Sequence, residues 1–265
     1  MDTRNFAHFG NTGDVISSLP AIKEFYKKTG VKPTLYLVKD HPAVYYEGAI
    51  HPVKNDNGEN VSLNKEMIDM LIPLLKEQPY LFDVKTHTGE PIHVNLSGIR
   101  DTFCNIPYGD IRRWYFYIFP DLACDLSPQY IEVPDTEKDL AKGKLIVCRT
   151  ERYQNPNIDY SFLKKHENEL VFAGTMREWN GFTMTYGLQI PKLPVNNFLE
   201  LAQALKQSKG LLSNQTMIFQ IAEGLKIPRI VELCSFAPNV IPTGENAFDF
   251  YAQLGAEEYV KRLLE

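Results

Sequence analysis

Phe6-Ala7-His8-Phe9-Gly10-Asn11-Thr12-Gly13-Asp14-Val15-Ile16-Ser17-Ser18-Leu19-Pro20-Ala21-Ile22 reads as a strand that runs into a glycine turn and out into a helix. The apolar run ends at Gly10, and Gly10 and Gly13 let the backbone turn sharply and approach a ligand closely. Apolar residues then recur at helical spacing, at Val15, Ile16, Leu19, Ile22, Phe25 and Tyr26. Asp14 falls where that helix begins, beside free backbone N–H groups and the positive end of the helix dipole, and is placed to accept a proton from a hydroxyl. The same placement suits a helix cap, for which Asp is a preferred residue, and local pattern alone favours the cap.

Outward from this stretch, strand-like and helix-like segments alternate as in a parallel α/β layer. The pattern predicts a strand over 5–9, a helix over 15–28, a strand over 33–38 and a polar turn at Lys39-Asp40-His41-Pro42. A loop rich in Asn, Asp and Gly follows over 47–62. An amphipathic helix over 64–78 carries Met67, Leu71, Leu74 and Leu75 on one side, with Pro73 expected to break or kink it late. Strands over 80–84 and 92–96 enclose Lys85-Thr86-His87-Thr88-Gly89-Glu90, read as a hairpin or a loop near a cleft, and His87, His93 and Arg100 are candidates to face an acceptor. The aromatic run Trp114-Tyr115-Phe116-Tyr117-Ile118-Phe119 reads as packing, with a base-stacking platform flanked by Arg112 and Arg113 as the alternative.

The charged, proline-containing segment Glu132-Val133-Pro134-Asp135-Thr136-Glu137-Lys138-Asp139 marks a boundary between domains over 1–134 and 135–265. Alternation then restarts, with strands over 144–148, 169–173, 210–212 and 229–232, helices over 160–167, 197–208 and 217–223, and a closing helix over 257–264. This is the order a Rossmann-like half requires, and in such a sheet ligands bind beyond the carboxyl ends of the strands. There the second half places Arg149 and Arg152, spaced to grip a diphosphate or to form a salt-bridge cluster with Glu151. Gly174 precedes Thr175-Met176-Arg177-Glu178, a close backbone approach with a carboxylate. Ser213-Asn214-Gln215-Thr216 leads into a helix whose N-terminus suits a phosphate and equally suits ordinary capping.

The composition is that of a soluble globular protein: 265 residues, 44% hydrophobic, 23% charged and a formal charge of −5. There is no overall basic field to attract nucleic acid, and no apolar run long enough for a membrane span or a signal-peptide core, so the expected location is the cytoplasm. Cys104, Cys124, Cys148 and Cys234 lack the paired spacing of a zinc site or a disulfide framework and read as reduced, buried thiols. Neither Gly-x-Gly-x-x-Gly nor a P-loop is present.

Gly13-Asp14-Val15-Ile16 followed by Ser18-Leu19-Pro20-Ala21-Ile22 resembles the N-terminal signature of the heptosyltransferase-like glycosyltransferases. Leu212-Ser213-Asn214-Gln215-Thr216, with Ile221-Ala222-Glu223-Gly224-Leu225-Lys226-Ile227-Pro228-Arg229-Ile230, resembles that family's nucleotide-sugar loop, with Gln215, Met217 and Gln220 where the family has Asp, Gly and His. The resemblance implies a compact version of the α/β fold called GT-B, two Rossmann-like domains facing a cleft. It implies a metal-independent, inverting transfer from a nucleotide-diphosphate sugar, a co-substrate with no other cofactor, to a hydroxyl of a glycan, a lipid-linked glycan or a hydroxylated base. Asp14 becomes the base; Thr12 and Gly13 line the sugar; Arg149, Arg152, Gly174, Ser213, Asn214, Gln215 and Thr216 hold the donor, with Glu232 on its ribose. Two alternatives stand beside it: glycosylation of a hydroxylated DNA base, using Arg112 and Arg113, and a nucleotide- or sugar-binding module without catalysis.

Overall fold

A computed structural model of the chain describes residues 4–43, 50–51, 53–102, 105–123 and 125–265. It divides into two compact units. The first comprises Met1–Leu126, Tyr130–Val133 and Asn197–Leu199, and the second Ser127–Gln129, Pro134–Asn196 and Glu200–Glu265.

In the first unit β1 (Asn5–His8) leads into α1 (Thr12–Thr29), then β2 (Thr34–Leu37), α2 (Lys65–Lys76), β3 (Asp83–Thr86) and β4 (Val94–Asn95). A 3-10 turn over Leu96–Asp101 and the short α3 (Ile111–Trp114) follow. The strand order is β3-β2-β1-β4 and every pairing is parallel. Chain order reverses between β1 and β4, so the crevice at that point lies at the carboxyl ends of the strands on either side of it. Phe6 and Ala7 of β1, all of β2, and Val15, Ile16, Leu19 and Ile22 of α1 are buried.

Part of the local reading is corrected. The segments expected as a hairpin are β3 and β4, which occupy opposite edges of one sheet and do not pair. Helix α2 continues through Pro73 to Lys76. The loop expected over 47–62 falls partly outside the described residues, as do Cys104 and Cys124, whereas Cys148 and Cys234 are free and buried. The aromatic run packs inward in part: Tyr115 is buried and Phe119 packs at 5.7 Å from both Phe6 and Phe25, whereas Tyr117 is exposed.

The second unit carries β5 (Leu145–Cys148), a 3-10 segment over Tyr160–Glu169, β6 (Leu170–Phe172), α4 (Met176–Tyr186), α5 (Phe198–Gln207), β7 (Gly210–Asn214), α6 (Met217–Leu225), β8 (Arg229–Glu232), β9 (Ala247–Phe250) and α7 (Gln253–Leu264). Its sheet runs β6-β5-β7-β8-β9, all parallel, and chain order reverses between β5 and β7. Strands β5, β7 and β8 are buried along their whole length, as expected for a parallel sheet covered on both faces.

Helix α4 and strand β9 are absent from the sequence reading. Asn180, Gly181 and Thr183 make α4 a weak helix by propensity. It is held instead by a capping box, with Thr175 N–H donating to Glu178 Oε2 at 2.8 Å and Glu178 N–H to Thr175 Oγ1 at 3.2 Å, and by the Trp179 Nε1–H bond to the Ile190 carbonyl at 2.9 Å. Strand β9 is recognisable by its place: Phe248 stacks on Tyr259 of α7 at 4.6 Å, a contact made only after folding.

Candidate functional site

In the first unit, the turn after β1 and the turn after β4 meet where the strand order reverses. Phe9 N–H donates to Ser97 Oγ at 2.7 Å, and Ser97 N–H to Asn95 Oδ1 at 3.0 Å, which starts the 3-10 turn that carries Arg100. Asp14 stands in the first turn of α1 with 8% of its surface exposed. Its Oδ2 accepts the Asn11 backbone N–H at 3.1 Å and an Arg100 Nη2–H at 2.5 Å, while Oδ1 accepts no hydrogen bond among the described residues. Asn11 is thus the N-cap residue of α1, and Asp14 is the N3 partner whose carboxylate reaches back to the cap backbone. Thr12 and Gly13 lie in that first helical turn, half-buried, where N–H groups have no partner within the helix.

Behind Asp14 lies a polar chain that sequence reasoning missed. His8 is buried; its Nδ1 accepts the Gly10 N–H at 2.9 Å and its Nε2 meets the Tyr115 hydroxyl at 2.9 Å. That hydroxyl donates to the Asp14 carbonyl at 2.8 Å, so His8 must be the Nε2–H donor. The signal available in the sequence was a histidine immediately before the glycine turn.

Burial pulls the His8 pKa down from 6.5 to about 4, against the opposing pull of the Asp14 charge. The unfolded chain therefore takes up a proton below pH 6.5 that the folded chain refuses. The stability owed to neutral His8 is complete above about pH 6.5 and drains away towards pH 4, by about 3 kcal/mol in all. In urea titrations, the unfolding free-energy gap between the wild-type chain and His8→Gln should narrow by that amount between pH 7 and pH 4. A gap independent of pH would refute it.

The other acceptor candidates are not brought here. His93 Nδ1 accepts the Asn5 N–H at 3.0 Å, at the amino end of β1 and so at the opposite end of the sheet from Asp14; an acceptor role beside Asp14 is corrected. His87 follows β3, separated from β1 by β2, and its Nε2 bonds the Glu90 carbonyl at 3.0 Å. Arg112 is corrected as well: it is 1% exposed and paired with Asp110 through Nε at 2.9 Å and Nη2 at 2.5 Å, leaving Arg113 as the exposed member of the pair.

In the second unit, the turns after β5 and β7 are stitched together by Asn214. Its Oδ1 accepts the Thr150 N–H at 3.0 Å and its Nδ2–H donates to the Arg152 carbonyl at 2.6 Å. Thr216 caps α6, its hydroxyl accepting the Phe219 N–H at 3.2 Å and meeting Ser213 Oγ at 3.0 Å. Gln215 turns inward, its Oε1 accepting the Cys234 N–H at 2.7 Å and its Nε2–H donating to the Ala237 carbonyl at 2.6 Å. Gly174 precedes the α4 cap, where Glu178 is already engaged.

Arg149 and Glu232 have a different role from the one expected. Glu232 is wholly buried and receives Arg149 Nε–H at 2.8 Å, Arg149 Nη2–H at 3.0 Å, the Tyr160 hydroxyl at 2.6 Å and the Asn155 N–H. Arg149 also reaches the Tyr186 hydroxyl at 2.7 Å and the Asn155 carbonyl at 3.0 Å. A carboxylate with four donors and no surface has nothing left for a ribose, and its guanidinium partner is committed to it. Arg152, half-buried and outside that pair, is the arginine of the turn with access to solvent.

At the level of sequence, no family model and no curated protein matches. Solved structures do. A glycosyl transferase of family 9 from Veillonella parvula superposes with a TM-score of 0.60 at 12% identity, over 99% of this chain and 97% of that one. ADP-heptose LPS heptosyltransferase II from Escherichia coli gives 0.64 at 11% identity, over 99% and 98%. The fold is that of the heptosyltransferases. A further E. coli heptosyltransferase, solved with ADP, shares it with a TM-score of 0.53 at 12% identity, over 98% and 100%. Within the heptosyltransferase fold of this chain, the strand-order reversals of the two sheets are where Asp14 and Thr216 stand. No helix among the described residues is long and apolar enough to cross a membrane.

Proposed function

We propose that this chain is a glycosyltransferase that moves a sugar from a nucleotide-diphosphate donor to an acceptor hydroxyl, with Asp14 as general base. The observation that carries this reading is the Asp14 carboxylate: Oδ2 is fixed by Arg100 and the Asn11 N–H, and Oδ1 retains its lone pairs for a proton. In this reading Oδ1 takes the acceptor proton as that oxygen attacks the anomeric carbon. The bond from that carbon to the diphosphate breaks, and the nucleoside diphosphate leaves with the electron pair. Direct displacement of this kind inverts the anomeric centre.

The donor diphosphate is assigned to the second unit, to the N–H groups opening α6 with Thr216 and Ser213 beside them, and to Arg152. This chemistry draws on those groups and involves no metal step. Arg149 and Glu232 serve it indirectly, by holding the turn after β5 against β8. The structural neighbours support the reading through fold, and the one solved with ADP makes ADP-sugars the first donors to try. Glycosylation of a DNA base loses its main support, because Arg112 is buried in an ion pair.

The test is release of nucleoside diphosphate from ADP-, UDP- and GDP-hexoses, with hexoses, hexose phosphates and hydroxymethylated DNA offered as acceptors. Asp14→Asn should lower turnover by about 10²–10⁴-fold, the contribution of a positioned base, with donor binding unchanged. Wild-type turnover by that variant, or no release by the wild-type chain, would overturn the reading.

A further inference from the structure

The polar chain behind Asp14 is buried, complete and specific in its donors and acceptors. His8 has 1% of its surface exposed, and Tyr115 has none. The Gly10 N–H points to His8 Nδ1, the His8 Nε2–H to the Tyr115 oxygen, and the Tyr115 O–H to the Asp14 carbonyl. Each group acts once in the direction that its neighbour requires. Burial, with the Asp14 charge, pushes the Tyr115 phenol up, and burial keeps His8 neutral, so the order of donors and acceptors persists through the physiological range. The charged groups facing the chain are Asp14 and Arg100, and these pair with each other.

This wiring joins three distant parts of the sequence at one place. Residue 8 ends β1, residue 14 lies in the first turn of α1, and residue 115 follows α3. Hydrogen bonding to the carbonyl of residue 14 leaves the carboxylate of that residue for chemistry while fixing the backbone that carries it. The Ser97 hydroxyl, 3.5 Å from His8 Nδ1, also holds Phe9, so the strand end cannot slide relative to the turn that presents Arg100.

We propose that Tyr115 is a positioning residue for Asp14: oriented by His8, its hydroxyl holds the first turn of α1 so that Oδ1 faces the acceptor while Oδ2 stays on Arg100. The inference rests on the reading of Asp14 as the base. It adds a requirement that neither the glycine turn nor the capping pattern contains, since a tyrosine more than a hundred residues away sets the angle of the reacting carboxylate.

The experiment compares Tyr115→Phe, which keeps the ring and deletes one oxygen, with Asp14→Asn and with Tyr117→Phe, an exposed neighbour in the same aromatic run. The readout is nucleoside-diphosphate release from ADP-, UDP- and GDP-hexoses with the acceptors named above. Tyr115→Phe is expected to lower kcat about 10–100-fold, the scale of a misplaced catalytic group, with KM and donor binding within about twofold of wild type. Tyr117→Phe is expected to match wild type. His8→Gln, tested alone and combined with Tyr115→Phe, covers loss of folding in the single variant; the double variant should be no slower than Tyr115→Phe. In ¹⁵N spectra of the histidine ring, wild-type His8 should be the neutral Nε2–H form at pH 6, and Tyr115→Phe should shift the Nε2 resonance while Nδ1, still accepting the Gly10 N–H, keeps the tautomer. Full kcat in Tyr115→Phe beside an inactive Asp14→Asn overturns this inference and leaves the base standing. A raised KM with unchanged kcat also overturns it. An active Asp14→Asn overturns the reading beneath it, and this inference with it.

Discussion

Replacing Gly10 by alanine is expected to lower sugar transfer by about 10²-fold, the penalty for moving a reacting group by roughly an ångström. A methyl group on Gly10 would lie 2.7 Å from Asp14 Oδ2, 2.8 Å from His8 Cε1 and 2.9 Å from Asp14 Cβ. The imidazole has no retreat, because it is held on one side by the Gly10 N–H and on the other by Tyr115. Rotation of the Asp14 carboxylate would relieve the first contact but not the third, so the first turn of α1 must shift. Overpacking at this site should also cost about 1–3 kcal/mol of stability. Nucleoside-diphosphate release and urea unfolding on one preparation separate the two effects. Because the damage acts through Asp14, Gly10→Ala combined with Asp14→Asn should be no slower than Asp14→Asn alone. Wild-type turnover in Gly10→Ala would show that the turn has slack, and the geometry argued for Asp14 would fall with it.

Arg149→Leu should destabilise the second unit by about 3–5 kcal/mol, the range for removing one partner of a buried ion pair. The reason is what stays behind. The Glu232 carboxyl would remain at zero exposure with the Tyr160 hydroxyl and the Asn155 N–H but no cation. The guanidinium also sits 4.9 Å from the Tyr160 ring and 5.9 Å from the Tyr186 ring, so packing is lost along with charge. Removing both partners, as Arg149→Leu with Glu232→Leu, should recover much of the loss, since an apolar pair carries no desolvation penalty. Denaturant unfolding measures both variants. A loss below about 1 kcal/mol for Arg149→Leu would return the arginine to the role of a spare anion ligand.

The contrast between Arg149 and Arg152 shows where pattern reading stops. Three residues apart at the end of one strand, they look equivalent as phosphate ligands in one dimension. Which of them is committed to a buried carboxylate depends on Glu232, which lies 83 positions on from Arg149 and is brought beside it by the β5-β7-β8 order. The same holds for His93, which looks placed for a site until the register sets it against Asn5, and for Arg112, which Asp110 closes off. Helix α4 escaped notice because its interior residues favour other conformations, although the Thr175 and Glu178 spacing of its capping box was there to be read.

The sequence by itself determined the parallel α/β class, the turn at Gly10 between the first strand and the first helix, the helix capped by Thr216 and most of the buried strands, although Gly13, expected in the turn, lies within α1. Each of these rests on local spacing: apolar periodicity, glycines at a turn and polar residues at a helix start. Only the tertiary structure decided which polar groups remain available. Hydrogen bonds and ion pairs in the interior join residues far apart in the chain, and desolvation forces each buried group to find a partner. His8, Tyr115, Arg149 and Glu232 take their surroundings from those partners, and the Asp14 Oδ2 is the oxygen on which Arg100 and the Asn11 N–H both settle.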